Sequence, residues 1–298
     1  TVLWGRDPAQ MAALAAARCN TRYLPMTPFP ESLRVESDLA HAVAAAQELL
    51  LAVPSHGFRE CLVHVAPLLR NGMRVAWATK GFELDSGKLP HQVANEVLGI
   101  GVPKAVLSGP TFAREVGLGL PTAMTVASRD QDYALALARA LSGQHFRAYA
   151  STDVIGVEVG GATKNVLAIG AGISDGLGFG ANTRVALITR GLAEMMRLGV
   201  ALGADKDTFM GLAGLGDLVL TCTDDQSRNR RCGLALSRGL SVEDAMREIG
   251  QVVEGYHAAR VLRGVAARLG LDLPICEGIC RILFDGAGHF QHVFGRFF

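Results

Sequence analysis

Several things are missing from this sequence of 298 residues. No two cysteines stand at C-x-x-C spacing, and none of the six has a histidine at zinc-finger distance. Cys19, Cys61, Cys222, Cys232, Cys276 and Cys280 therefore read as free thiols of a reducing cytoplasm. The eight histidines share no spacing, which leaves no metal site and no catalytic triad to assign. An excess of either charge is lacking too: 29 Lys and Arg against 28 Asp and Glu give a net charge of +1. That removes the electrostatic case for nucleic acid or an anionic membrane. No apolar run approaches the ~20 residues of a spanning helix, and no signal peptide is visible. Absent also is a dinucleotide-binding fingerprint, in which G-x-G-x-x-G follows an opening strand and starts a helix. Gly117-Leu-Gly119 and Gly211-Leu-Ala-Gly-Leu-Gly216 lie elsewhere and do not qualify. If Thr1-Val-Leu-Trp4 is the second strand of such a domain, the first strand and its glycine loop are absent from this chain.

What is present centres on Glu158 to Asp175. From Val159 to Ser174 the only charge is Lys164, set among small and apolar residues. A helix of this composition is apolar all round and therefore buried. A buried ammonium is costly, and burial lowers its pKa toward neutrality, where lysine can give and take a proton. The plain alternative is a lysine snorkelling from a helix end. As the only charge of a buried stretch it is a desolvation cost, so alanine at 164 is expected to leave stability unchanged or higher.

The first half alternates strands and helices. Strands are expected at Thr1–Trp4, Glu48–Val53, Met73–Thr79, Ala105–Leu107, Thr122–Ala127 and His145–Tyr149. Helices are expected at 11–18, 38–47, 58–69, 89–98 and 130–141. Continuous apolar strands alternating with helices imply a mostly parallel sheet covered on both faces. Ligands of such sheets lie beyond the carboxyl ends of the strands. Those ends carry Arg6, Pro54-Ser55, Lys80-Gly81 and Ser108-Gly-Pro-Thr111. Turn chemistry alone explains the proline pairs, whereas Lys80 directly follows the strand Val75–Thr79, where a lysine faces the crevice; the plain alternative is an exposed loop lysine. Arg6 at the tip of the first strand suits a ribose 2′-phosphate, hence NADP, and Asp7 leaves NAD open.

Strands stop after Ser151-Thr-Asp153. The fold class is thus a Rossmann-like α/β domain over 1–150, without its first strand and glycine loop, followed by an all-α domain over 151–298. The helical half has a loop at 176–183, a helix from Arg184 to Leu198, a capping pattern at Ser241-Val-Glu-Asp244, and helices opened by 251–255 and 273–275. Ser227-Arg-Asn-Arg-Arg231 reads as a cationic knot in a loop, either a solvated charge run or an anion site in which an arginine fork grips phosphate. Asp217, in apolar surroundings, can orient a lysine, accept from a substrate hydroxyl or cap a helix.

Taken together the motifs resemble bacterial NAD(P)-dependent glycerol-3-phosphate dehydrogenases. The residues that carry the likeness are 3–7, 20–25, Ala52-Val-Pro-Ser55, Ala78-Thr-Lys-Gly81 and Leu107-Ser-Gly-Pro-Thr-Phe-Ala113. They continue with Gly161-Ala-Thr-Lys-Asn165, Gly214-Leu-Gly-Asp-Leu218, Ser227-Arg-Asn-Arg230 and Val253-Glu-Gly255, in family order. The resemblance implies reduction of dihydroxyacetone phosphate to sn-glycerol 3-phosphate with NADP or NAD as cofactor, feeding glycerophospholipid synthesis. It implies Lys164 as proton donor to the ketone oxygen and Lys80 in contact with both cofactor and substrate. Gly109 and Thr111 would line the substrate site, Asp217 would hold a substrate hydroxyl, and Ser227, Arg228 and Asn229 would bind its phosphate. Arg6, Ala113, Arg228, Val252 and Glu254 would contact cofactor. The implied partner is a small phosphorylated molecule, with a homodimer as candidate assembly and neither nucleic acid nor membrane. The aromatic tail at 288–298 departs from the family pattern and bears on packing or assembly.

Two other readings stay open. One is a related lysine-using dehydrogenase of hydroxy acids. The other is a catalytically silent protein that binds phosphorylated metabolites without turnover.

Overall fold

The computed structural model describes residues 1–285; the aromatic tail lies outside the described residues. The chain opens with β1 (Val2–Trp4), which Asp7 and Pro8 turn into α1 (Pro8–Ala17). The Asp7 carboxylate accepts from the backbone N–H groups of Ala9 and Gln10, and Pro8 sits at the first helical position, where its missing N–H costs nothing. A short antiparallel ribbon follows, β2 (Cys19–Asn20) with β3 (Leu24–Pro28), and then β4 (Arg34–Glu36), which pairs parallel to β1. This ribbon and β4 are not legible as periodic patterns.

From here the alternation runs as expected: α2 (Leu39–Ala44), β5 (Glu48–Leu51), α3 (Ser55–Val65), β6 (Arg74–Trp77), α4 (Pro90–Leu98), β7 (Lys104–Ser108). The short α5 (Ala113–Gly117), β8 (Thr122–Ala127), α6 (Gln131–Leu141) and β9 (Phe146–Ser151) complete it. Strands β5 to β9 pair in sequence order, parallel throughout except for the antiparallel β7–β8 step. Both faces are covered. Val75, Trp77 and Val106 point to one face, against Phe58 and Leu62 of α3 and Val93 of α4. Ala76, Ala105 and Leu107 point to the other, against Tyr133 and Leu137 of α6. Alternate side chains of one strand thus enter two separate cores, the pattern of a sheet buried on both sides.

The second half is helical: α7 (Val154–Gly176), α8 (Gly180–Ala201), α9 (Asp217–Thr223), α10 (Arg228–Ser237), α11 (Val242–Ile249), α12 (Glu254–Leu269) and α13 (Pro274–Phe284). Asp153 caps α7 and Ser241 caps α11, each accepting from a backbone N–H three residues on. Two expectations change here. Helix α8 starts at Gly180, so the loop before it is shorter than 176–183. The cationic segment at 227–231 is not a loop: Ser227 is the N-cap of α10 and its hydroxyl accepts from the Arg230 N–H.

Helix α7 is the axis of this half and is buried almost throughout. By length and composition it could cross a bilayer, contrary to the sequence reading, but 94% of its apolar window is buried inside protein. Its glycines let other elements approach. A Cβ on Gly172 would fall on the Arg230 carbonyl, and one on Gly233 of α10 would fall on the Ile169 carbonyl. The two helices therefore touch backbone to backbone, which fixes the start of α10 against α7.

Candidate active site

Lys164 lies in the middle of α7, so snorkelling from a helix end is excluded. Its ammonium donates to Asp217 Oδ1 at 2.6 Å and to Thr221 Oγ1 at 3.0 Å. Asp217 opens α9, and Thr221 sits one turn later on the same face, its hydroxyl donating to the Asp217 carbonyl at 2.6 Å. The other carboxylate oxygen, Oδ2, accepts from Lys80 Nζ at 2.6 Å. Lys80 comes from beyond the end of β6, and its Nζ also reaches the Gly109 carbonyl at 3.4 Å. One buried carboxylate thus holds two ammonium groups, one from each half of the chain. It orients lysines; it does not cap its helix.

Gly109 directly follows β7 with φ +153, and a Cβ there would meet Met124 Cα at 2.9 Å, so only glycine lets the chain turn into Pro110-Thr111 beside β8. The Thr111 hydroxyl donates to the same Gly109 carbonyl at 3.2 Å.

The electrostatics follow from burial. Desolvation pulls the Lys164 pKa down; the neighbouring Lys80 adds to this, Asp217 opposes it, and the result is about 8. Burial pushes the Asp217 carboxyl up, but Lys164 and Lys80 outweigh it and leave it below the ordinary carboxylate value. Lys164 is therefore charged at neutral pH yet able to part with its proton.

A cavity of about 1230 Å³ opens over this cluster. Lys80, Thr111, Lys164, Ser227, Arg228 and Asn229 line it, as do Ala113, Val252 and Glu254. Asp217 and Gly109 stand behind Lys80. Ser227, Arg228 and Asn229 form the first turn of α10, whose positive dipole end suits an anion. The helix sorts its cations: Arg228 and Arg231 line the cavity, whereas Arg230 turns inward to Asp175 of α7 at 2.6 Å and to Asp225. Asn229 is partly spent on structure, since its Nδ2 donates to Asn165 Oδ1 at 2.9 Å and its Oδ1 accepts from the Gly255 N–H at 2.8 Å. Asn165 in turn donates to Glu254 at 3.4 Å, so α7, α10 and α12 meet beside Lys164.

Arg6 is not among the cavity-lining residues; its side chain is 85% exposed and 3.9 Å from Glu60. Asp7, which left NAD open, has its carboxylate engaged as the α1 cap. Thr221 and Asn165 are among the site members that sequence reasoning did not assign. Their signals are local: Thr221 is one helical turn after Asp217, and Asn165 directly follows Lys164.

Residues 1–134 match the family description "NAD-dependent glycerol-3-phosphate dehydrogenase N-terminus", and residues 153–292 match its C-terminus. The chain belongs to the NAD-dependent glycerol-3-phosphate dehydrogenase family. It is 60% identical over 287 residues to a glycerol-3-phosphate dehydrogenase [NAD(P)+] of Aeromonas salmonicida, covering 96% of this chain and 86% of the relative. It superposes on the crystal structure of glycerol-3-phosphate dehydrogenase from Coxiella burnetii with a TM-score of 0.95 at 43% identity, covering 99% of this chain and 90% of that one. A ketopantoate reductase of Ralstonia eutropha shares the fold alone, with a TM-score of 0.56 at 15% identity, covering 98% of this chain and 89% of that one. Membership makes the protein an NAD(P)-dependent oxidoreductase, and the site fits such a cofactor. Val53, Pro54 and Ala113 supply apolar wall beyond the sheet, while the two lysines stand at the inner end.

Proposed function

We propose that this cavity reduces dihydroxyacetone phosphate to sn-glycerol 3-phosphate with NAD(P)H. The observation that carries the reading is the pair of ammonium groups on Asp217, both lining a cavity whose rim holds the Ser227–Asn229 turn. A phosphate at that turn receives the Arg228 guanidinium, the Ser227 hydroxyl and the free Nδ2 hydrogen of Asn229. The ketone oxygen then lies toward Lys80 and Lys164. The hydride to the carbonyl carbon would be the chemistry that a dihydronicotinamide supplies when bound beside Ala113 and Lys80. As charge grows on the oxygen, Lys80 stabilises it and Lys164 donates the proton, then recovers one from water. Asp217 keeps Lys164 protonated until that moment, and one of its oxygens is available to a substrate hydroxyl once a lysine shifts.

Residues 1–150 carry the cofactor side of this division, with Ala113 and Lys80, and residues 151–298 carry the acid and the phosphate turn. Arg6 remains the proposed contact to a 2′-phosphate, the feature that separates NADP from NAD. The free cysteines agree with a reducing cytoplasm, where the product would enter glycerophospholipid synthesis.

The test compares dihydroxyacetone phosphate with short 2- and 3-keto acids at equal NADPH. A kcat/KM higher for the phosphate ester by orders of magnitude supports the assignment. Preference for a keto acid moves the protein to the hydroxy-acid dehydrogenases. NAD(P)H binding by calorimetry without turnover of either makes it a silent binder.

A further inference from the structure

Glu158 is a carboxylate that the reaction does not use, and it is 4% exposed in the middle of the protein. It lies on α7, six residues before Lys164, or about 9 Å along the helix axis. Its Oε1 accepts from the indole Nε1 of Trp77 at 3.1 Å and from the backbone N–H of His91 at 2.8 Å. Its Oε2 is 2.5 Å from His91 Nδ1. Trp77 is the last residue of β6, three residues before Lys80, and His91 is in the first turn of α4. Glu158 thus joins the helix of one lysine to the strand of the other. Close by, the Lys80 stem crosses α7 at Gly161, where an added Cβ would lie 3.4 Å from Lys80 Cγ.

We infer that Glu158 is a positioning residue for catalysis: through Trp77 and His91 it sets the distance between Lys80 and Lys164 across Asp217. The inference rests on the proposed roles of those two lysines. Asp217 and Thr221 belong to α9, which packs on α7, so they travel with Lys164. Lys80 belongs to the sheet. If the Glu158 junction loosens, the group that moves away is Lys80, and Lys164 loses a neighbouring positive charge while keeping its carboxylate. The Lys164 ammonium faces Asp217, Lys80 and Thr221, and the buried Cys222 thiol of α9 interacts with it as well. Loss of Lys80 from this set favours the protonated form, which raises the pKa of Lys164 and delays the alkaline fall of activity.

Glu158→Gln keeps shape and size but weakens the junction at His91. Trp77→Phe removes one hydrogen bond and no charge. Both are measured by the pH profile of kcat/KM for dihydroxyacetone phosphate reduction, beside Lys80→Met. The expected result is a loss of roughly 10- to 100-fold in kcat/KM, as for small misplacements of catalytic groups, with the alkaline limb moved to higher pH in all three variants. If Lys80→Met moves the limb but Glu158→Gln and Trp77→Phe leave both limb and rate as in wild type, whatever their melting temperatures, Glu158 is structural and the inference fails. If Lys80→Met itself leaves the limb in place, the two-lysine reading fails, and this inference falls with it.

Discussion

Lys80 and Asp217 stand 137 positions apart in the chain and meet at 2.6 Å. That contact closes the site, because the same carboxylate already holds Lys164 from the other side. Two like charges in a buried place repel, and a single carboxylate between them offsets the repulsion. The arrangement holds the two ammonium groups close together on one carboxylate.

Asp217→Asn should therefore impair catalysis more than binding. The amide keeps the shape but removes the attraction that holds the proton on Lys164. The Lys164 pKa should drop below its present value of about 8, and the alkaline limb of kcat/KM should move to lower pH. A loss of roughly 100-fold or more in kcat is expected, on the scale of general-acid contributions. An unchanged limb would show that Asp217 does not control the acid.

Lys164→Ala should lower kcat by about 10²–10⁴-fold. The structure reverses the stability expected from sequence alone. Lys164 is paired, so its removal leaves Asp217 with Lys80 only, and melting temperature should fall rather than hold. Lys164→Arg should stay inactive, because its guanidinium does not release a proton near neutral pH. Thermal melts and single-turnover rates of both variants check this.

Stability should carry the mark of Lys164 in alkali. Its folded pKa of about 8 lies below the ordinary lysine value of 10.5. Between these values the unfolded chain binds more protons than the native one, so this group's contribution to stability rises with pH from about 8 to 10.5. Below about 8 both states are protonated, and the full cost of burying the charge is felt. Lys164→Met should lack this rise. Denaturant titrations of both proteins across that range give the difference curve; parallel curves would mean that Lys164 is not depressed.

Arg228→Lys should raise KM for dihydroxyacetone phosphate by roughly 10- to 100-fold, the range of a charged hydrogen bond worth about 1.5–3 kcal/mol. Lysine keeps the charge and loses the planar fork. Unphosphorylated dihydroxyacetone should be affected much less. Equal effects on both substrates would remove Arg228 from the phosphate turn.

Gly172→Ala tests the backbone contact between α7 and α10. Its methyl would occupy the place of the Arg230 carbonyl. Overpacking of this kind typically costs about 1–3 kcal/mol, and more where backbone must move. A lowered melting temperature together with a raised KM for the phosphate ester would show that the Ser227–Asn229 turn depends on this contact.

The sequence by itself determined the local structure. Short strand patterns of three to seven residues, most of them apolar, marked β5 to β9, because periodicity and turn chemistry act over short stretches. The all-apolar setting of Val159 to Ser174 showed that α7 is buried and Lys164 unusual, and Ser241 announced the cap of α11. Family motifs named most of the residues that the cavity gathers. The tertiary structure decided what each charge does. Lys164 reads as an unpaired cost in sequence, since its partner Asp217 lies 53 residues away and arrives only when α9 packs on α7. Apart from the family resemblance, which singles out Arg228, the arginines at 228, 230 and 231 read alike until the turn of α10 sends one inward and two to the cavity. The antiparallel β7–β8 step and the β1–β4 pairing were likewise settled by docking. The reason is the same in each case. A strand or helix follows from neighbours along the chain, whereas the partner of a buried charge is chosen by how separate elements pack, and no short-range pattern encodes that distance.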